Sequence, residues 1–101
     1  MGGFSVDLQC PGTVDNKVII KRDLDLNKGG LTTLWTSGSC PIFVGALDSS
    51  DSVLQDFQMA PGDHVTEFLP PPGAALIYAV CSKDCDAGTV TLHYDDPDLV
   101  A

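Results

Sequence analysis

The chain has 101 residues, enough for one domain with a modest core, and its apolar fraction of 44% excludes an intrinsically disordered protein. Fourteen acidic residues against five basic ones give a formal net charge of −9, which argues against binding to nucleic acid or to an anionic membrane. All the acids but Glu67 are Asp, a residue that favours turns over the interiors of helices and strands. This composition is typical of a loop-rich β protein.

Short apolar segments, separated by turn residues, follow one another along the chain. They are residues 4–10, 17–27, 31–36, 40–44, 53–57, 64–69, 74–81 and 89–94. Several alternate strictly between apolar and polar side chains, which predicts half-buried strands. For residues 53–57 we favour a strand over a short helix, because the segment is short and leads into Pro61-Gly62. We expect a bend near Lys21 in the second segment.

Residues 74–81 are apolar except for the hydroxyl group of Tyr78, so we expect them to form the central, most buried strand. No segment carries the apolar stripe of an amphipathic helix over three turns. Seven or eight short strands with a turn about every ten residues predict an all-β fold. We therefore expect residues 1–101 to form a single domain, an antiparallel β-sandwich of jelly-roll-like character.

Four cysteines allow three pairings into two disulfides. Cys81 and Cys85 flank a three-residue turn, so a disulfide between them would close a hairpin. Cys10 and Cys40 both stand at strand ends and would then pair with each other. Free buried thiols in a reducing compartment are the alternative. The spacing does not predict zinc, since the single close pair is C-x3-C and the other two cysteines are scattered.

The remaining polar residues do not predict an active site. A triad needs His beside an acid and a nucleophile, but His64 and His93 lie on the polar faces of predicted strands. The chain has no nucleophile elbow, phosphate-binding loop or dinucleotide fingerprint. Asp84 or Asp86 could join the acids of residues 95–98 around calcium, although solvated turn acids explain them better. We expect no enzyme, no catalytic residues, no cofactor and no metal.

Residues 62–97 carry a pattern of turns and strands: G-D-x-V-x-x-F-x-P-P-x-G-A, an apolar strand, then G-T-x-T-L-x-Y and D-x-P. This pattern resembles small β-sandwich head-decoration and accessory proteins of tailed bacteriophages. The resemblance implies a structural subunit of a virion, assembled in the host cytoplasm, that stabilises the particle through contacts with capsid or other virion proteins. It also implies a homo-oligomer.

An alternative hypothesis is a small glycan-binding or other ligand-binding β-sandwich, located outside the cell. Trp35 is the single tryptophan and would be the aromatic residue on its binding face. The two hypotheses differ in their expected assembly and cysteine state. A virion subunit would be an oligomer with free thiols, and a secreted module would be a monomer with disulfides.

Overall fold

The computed structural model describes residues 3–24, 29–86 and 88–99, and all structural statements concern these residues. They form eight strands followed by one short 3-10 helix. The strands are β1 (Gly3–Gln9), β2 (Val18–Lys21), β3 (Leu31–Ser37), β4 (Ile42–Leu47), β5 (Val53–Met59), β6 (His64–Phe68), β7 (Leu76–Cys81) and β8 (Thr89–Asp95), and the helix is Pro97–Leu99.

The strands form two antiparallel sheets of four. Sheet 1 has the order β1-β8-β3-β6, and sheet 2 has the order β2-β7-β4-β5. Among the described strands, only β4 and β5 are consecutive in the chain and also in the same sheet; every other connection crosses from one sheet to the other. The predicted antiparallel, all-β sandwich is confirmed, and the segment 53–57 is part of strand β5, not a helix.

Apolar side chains from both sheets meet between them. The core residues include Leu8, Leu34, Val90 and Leu92 of sheet 1, and Ile42, Val44, Ile77 and Ala79 of sheet 2. Alternation along each strand directs these side chains inward and the polar ones outward. Burying their apolar surface is the main source of stability in such a fold. The alternation in the sequence therefore predicted the inward faces of β1 and β8 correctly.

Strand β7 lies between β2 and β4, which confirms the central position predicted for residues 74–81. The expectation that it is the most buried strand is wrong, because β4 is at least as buried. Ile42 and the whole run Val44–Leu47 are buried, so β4 also extends beyond the predicted end at residue 44. The prediction stopped there because Gly45 has a low strand propensity.

Asp residues stabilise the turns, as the composition predicted. One carboxylate oxygen of Asp48 accepts hydrogen bonds from the backbone N–H groups of Ser50 and Ser52, at 2.8 and 3.0 Å. Asp63 accepts one from the backbone N–H of Ala60 at 2.9 Å. In these turns the carboxylate accepts the hydrogen bond that a neighbouring strand's carbonyl would accept within a β-sheet.

The second predicted strand is shorter in the structure, since β2 ends at Lys21 where a bend was expected. Asp23 has a positive φ of 58° and turns the chain. Residues 25–27 of the predicted segment lie outside the described residues. No helix in the described part of the chain has the length and apolar character needed to cross a bilayer.

Candidate functional site

The four cysteines meet at one end of the sandwich and form two disulfides. Cys10 pairs with Cys81, and Cys40 pairs with Cys85, with Cα–Cα distances of 5.4 and 5.9 Å. The expected Cys81–Cys85 bridge is therefore not present. The physical reason is the topology: β7 and β8 belong to different sheets, so the turn after Cys81 crosses the sandwich and does not close a hairpin.

Backbone hydrogen bonds tie the same chain segments together. The N–H of Cys10 donates to the carbonyl of Gly88 at 2.7 Å, and the N–H of Ser82 donates to the carbonyl of Pro41 at 3.0 Å. The N–H of Gly12 donates to the carbonyl of Ser82 at 3.1 Å. Gly12 has to be glycine here, since a Cβ atom would clash with the carbonyl of Cys81.

A buried lysine lies near the opposite end of β8 from the disulfides. The ammonium of Lys21 contacts a carboxylate oxygen of Asp96 at 2.8 Å and one of Asp98 at 2.7 Å. It also donates to the carbonyls of Gly29 and Gly30, at 2.9 and 3.2 Å. Burial lowers the pKa of Lys21, but the hydrogen bonds and charges of Asp96 and Asp98 outweigh that effect and raise its pKa above the ordinary value.

These two ion pairs involve acids that were considered above as calcium ligands. Asp96 and Asp98 are engaged with Lys21, and Asp84 precedes the seven-residue strand β8 while Asp96 follows it. A strand of that length spans roughly 20 Å, at about 3.3 Å per residue. Acids at the two ends of such a strand lie too far apart to bind one cation together.

Trp35, the aromatic residue considered for a binding face, lies on the outer face of sheet 1 and is 36% exposed. Its cross-strand neighbours are His64 on β6 and His93 on β8. The His93 ring stacks on the indole with a centroid distance of 3.8 Å, and the His64 ring stacks at 6.2 Å. His93 therefore covers one face of the indole, the surface on which a sugar ring would stack.

The sequence did not indicate that Ser37 and His93 are neighbours. The Oγ atom of Ser37 lies 3.0 Å from Nε2 of His93, on the exposed face of sheet 1. A nucleophilic serine also needs an acid that orients the far nitrogen of the imidazole. The hydrogen bonds of the described residues give His93 no carboxylate partner.

The outer face of sheet 2 carries a groove with a volume of about 610 Å³. Apolar residues line it, among them Phe43, Tyr78 and Val80 and the exposed Val14 and Val53, and its rim includes Lys17, Lys83, Asp51 and Asp84. The Tyr78 ring passes close to the backbone of Gly45, where a Cβ atom would lie 2.7 Å from the ring. Burial and the nearby charge of Asp56 raise the pKa of Tyr78.

The groove continues to strand β5, which forms one edge of sheet 2 and pairs only with β4. Val53 and Leu54 are 56% and 41% exposed on this strand. Among the seven residues of β5 only Asp56 is charged, and none is proline. The outer edge of β5 thus presents backbone N–H and C=O groups that can pair with another strand, and the register shift beside Val53 and the carboxylate of Asp56 are its protections against such pairing.

No family model matches the chain, and no curated protein matches it. A chain from a solved structure described as "Bacillus endospore appendages form a novel family of disulfide-linked pili" is similar at 10% sequence identity. The match covers 93% of this chain and 85% of that chain, with a TM-score of 0.48. At this score the likeness carries no argument about function.

Proposed function

We propose that this protein is a non-enzymatic structural subunit that acts by binding other protein subunits, including copies of itself. The observation that carries the proposal is the exposed edge strand β5, where Val53 lines the apolar groove of sheet 2 and the neighbouring Leu54 is also exposed. Apolar side chains beside an unpaired strand edge favour association with another chain, through both backbone pairing and burial of apolar surface.

A head-decoration or accessory subunit of a tailed-bacteriophage particle is the specific form of this proposal. It is supported by the pattern of turns and strands over residues 62–97. The two disulfides are the cysteine state expected of the secreted module and not of a virion subunit, so this form of the proposal requires that they form in an oxidising environment, which the outside of a released particle provides. Synthesis in a host cytoplasm then places formation of the disulfides after assembly.

We also propose that Ser37 and His93 have no catalytic role. Their hydroxyl–imidazole contact lies on an open sheet face, and the described residues supply no carboxylate to orient the imidazole. A neutral serine hydroxyl without that support is a weak nucleophile. We expect Ser37→Ala to leave the oligomeric state unchanged and to change the free energy of unfolding by no more than a typical surface substitution does.

The test of assembly is static light scattering on the oxidised protein over a range of concentrations. We expect a discrete oligomer for the wild type and a monomer for the double variant Val53→Lys/Leu54→Lys. Leu69→Lys is the matched control, because Leu69 is also apolar and is 58% exposed but is not part of the groove or of β5. A wild-type protein that stays monomeric at every concentration would overturn the proposal.

A ligand-binding module remains a second candidate because of a shallow pocket beside Trp35. Its volume is about 280 Å³, and Phe4, Thr33, Tyr94 and Asp95 line it together with the indole. Aromatic rings beside a carboxylate can bind a sugar through stacking and hydrogen bonds. Because Trp35 is the single tryptophan, the tryptophan fluorescence of the protein comes from this one residue beside the pocket. A saturable shift on adding oligosaccharides, lost in Asp95→Asn, would favour this candidate.

A further inference from the structure

Four separate segments of the chain bring their cysteines to one place. Cys10 follows β1, Cys40 precedes β4, Cys81 ends β7 and Cys85 lies in the connection to β8. The sulfur atoms of Cys10, Cys40 and Cys81 all lie within 4.8 Å of one another, although Cys40 belongs to a different disulfide. The sulfur of Cys85 is bonded to that of Cys40. The four sulfurs therefore form a single cluster.

The dimensions of this cluster suit a tetrahedral metal ion. Zinc binds four cysteine thiolates at about 2.3 Å, which separates the sulfur atoms by about 3.8 Å. The sulfur of Cys40 lies within 4.8 Å of the sulfurs of Cys10 and Cys81, so it needs to approach those two by at most about 1 Å, and the sulfur of Cys85 has to move toward them once its bond to Cys40 is broken. Within each disulfide, breaking the S–S bond lets the sulfurs move apart by side-chain rotation, since the Cα atoms are only 5.4 and 5.9 Å apart.

We propose that the reduced protein binds one zinc ion through Cys10, Cys40, Cys81 and Cys85. Two equivalents of a dithiol reductant transfer two electron pairs to the two S–S bonds, giving four protein thiols and two oxidised dithiols. The four thiols then release four protons as their thiolates bind one Zn²⁺. The scattered spacing along the chain argued against this site, because it does not show that the fold brings the four cysteines together.

The backbone around the cluster supports the site in the reduced state. The hydrogen bonds Cys10 N–H to Gly88 C=O and Ser82 N–H to Pro41 C=O join the same segments without using sulfur. Cys40 is fully buried and Cys81 is 2% exposed, while Cys10 and Cys85 are half-buried, so zinc would be shielded from water on one side. Zinc in a reducing compartment and two disulfides in an oxidising one would close the same end of the sandwich.

The test uses the full chain, reduced with a phosphine and titrated anaerobically with Zn²⁺ or with Co²⁺ as a spectroscopic probe. We expect one metal ion per chain, the intense visible bands of tetrahedral cobalt and a thiolate-to-cobalt charge-transfer band. Zinc should protect all four thiols from an alkylating reagent. It should also give the reduced chain a near-UV circular dichroism spectrum like that of the oxidised protein, since metal binding and folding are coupled.

Each single Cys→Ser variant should weaken zinc binding by more than the roughly 10–100-fold that loss of an outer-shell partner causes. Asp84→Asn is the matched control, because Asp84 lies next to Cys85 and contacts the Ser82 hydroxyl through its backbone N–H, which the substitution leaves in place. A reduced chain that binds no zinc, or that binds it with only two or three sulfurs, overturns the proposal. The assembly proposal is tested separately, because light scattering of the oxidised protein does not depend on zinc binding by the reduced chain.

Discussion

The ammonium of Lys21 lies 2.8 Å from the carboxylate of Asp96, which is 75 residues further along the chain. Their side chains are only 5% and 1% exposed. The pair joins the end of β2 in sheet 2 to the segment that follows β8 in sheet 1. It thus holds the two sheets together by a polar contact at the end of the sandwich that lacks the disulfides.

Replacing Lys21 with Met should destabilise the protein by about 3–5 kcal/mol, because a buried Asp96 carboxylate loses its cation. Urea denaturation with both disulfides intact measures the loss. Lys83→Met removes a lysine from the groove rim, and should cost less than about 0.5 kcal/mol. Equal losses for the two variants would show that the Lys21 ion pair contributes nothing beyond a surface charge.

The free energy of unfolding should fall at alkaline pH. Lys21 has a raised pKa in the folded protein, and burial with the charge of Asp96 raises the pKa of Tyr94. Both groups therefore hold their protons more tightly when the chain is folded. Their contribution to the free energy of unfolding is complete below their ordinary pKa values of 10.5 for Lys21 and 10.0 for Tyr94. It is lost as the pH rises through their higher pKa values in the folded protein.

Urea denaturation at a series of pH values from 8 upward measures this effect. Tyr94→Phe should reduce the alkaline loss of stability, because phenylalanine does not titrate. A flat profile through pH 11 in the wild type would contradict the assignment. The disulfides should be checked by intact mass at each pH, so that any loss of stability reports on titration alone.

Adjacent residues of β7 should respond very differently to a buried charge. Ile77 is fully buried in the core, while Leu76 lies at the strand start and lines a shallow surface pocket. Ile77→Asp should abolish folding, because an unpaired carboxylate in an apolar core has no compensating partner. Leu76→Asp should give a soluble protein that unfolds cooperatively, as seen by thermal melting. If both variants unfold, the inward face of β7 is misassigned.

The sequence alone made Leu76 and Ile77 equivalent, because residues 74–81 have no polar alternation. Period-2 alternation identified the faces of β1 and β8, since each has one polar face. It did not show which sheet each strand joins, and that depends on contacts between distant segments. The disulfide pairing and the Lys21–Asp96 contact follow from sheet membership, so neither was predictable from spacing.

Gly45→Ala should destabilise the protein by about 1–3 kcal/mol, the usual range for overpacking. An added Cβ atom would meet the Tyr78 ring at 2.7 Å and the Gln55 carbonyl oxygen at 2.7 Å. Gly3→Ala is the matched strand control, because its nearest contact would be Asp95 at an ordinary 3.9 Å. Denaturation midpoints of the two variants compare them. A Gly45→Ala protein as stable as Gly3→Ala would mean that both the Tyr78 ring and the β5 backbone at Gln55 shift without cost.

Removing either disulfide should cost about 2–5 kcal/mol under oxidising conditions. The bridges span sequence separations of 71 and 45 residues, and loop entropy makes the longer one worth only about 0.4 kcal/mol more. The double variants Cys10→Ala/Cys81→Ala and Cys40→Ala/Cys85→Ala should therefore lose similar stability in guanidinium denaturation. Peptide mapping of the wild type checks the pairing, and a Cys81–Cys85 peptide would contradict it.

The order of the two disulfides along the chain has a consequence for proteolysis. Cys40 lies between Cys10 and Cys81, and Cys85 lies beyond them, so the two covalent loops interlock. A single peptide-bond cleavage anywhere between residues 10 and 85 leaves both fragments joined by at least one S–S bond. A protease that cuts the exposed loop around Ser50 would change the mass by one water and release nothing until the protein is reduced.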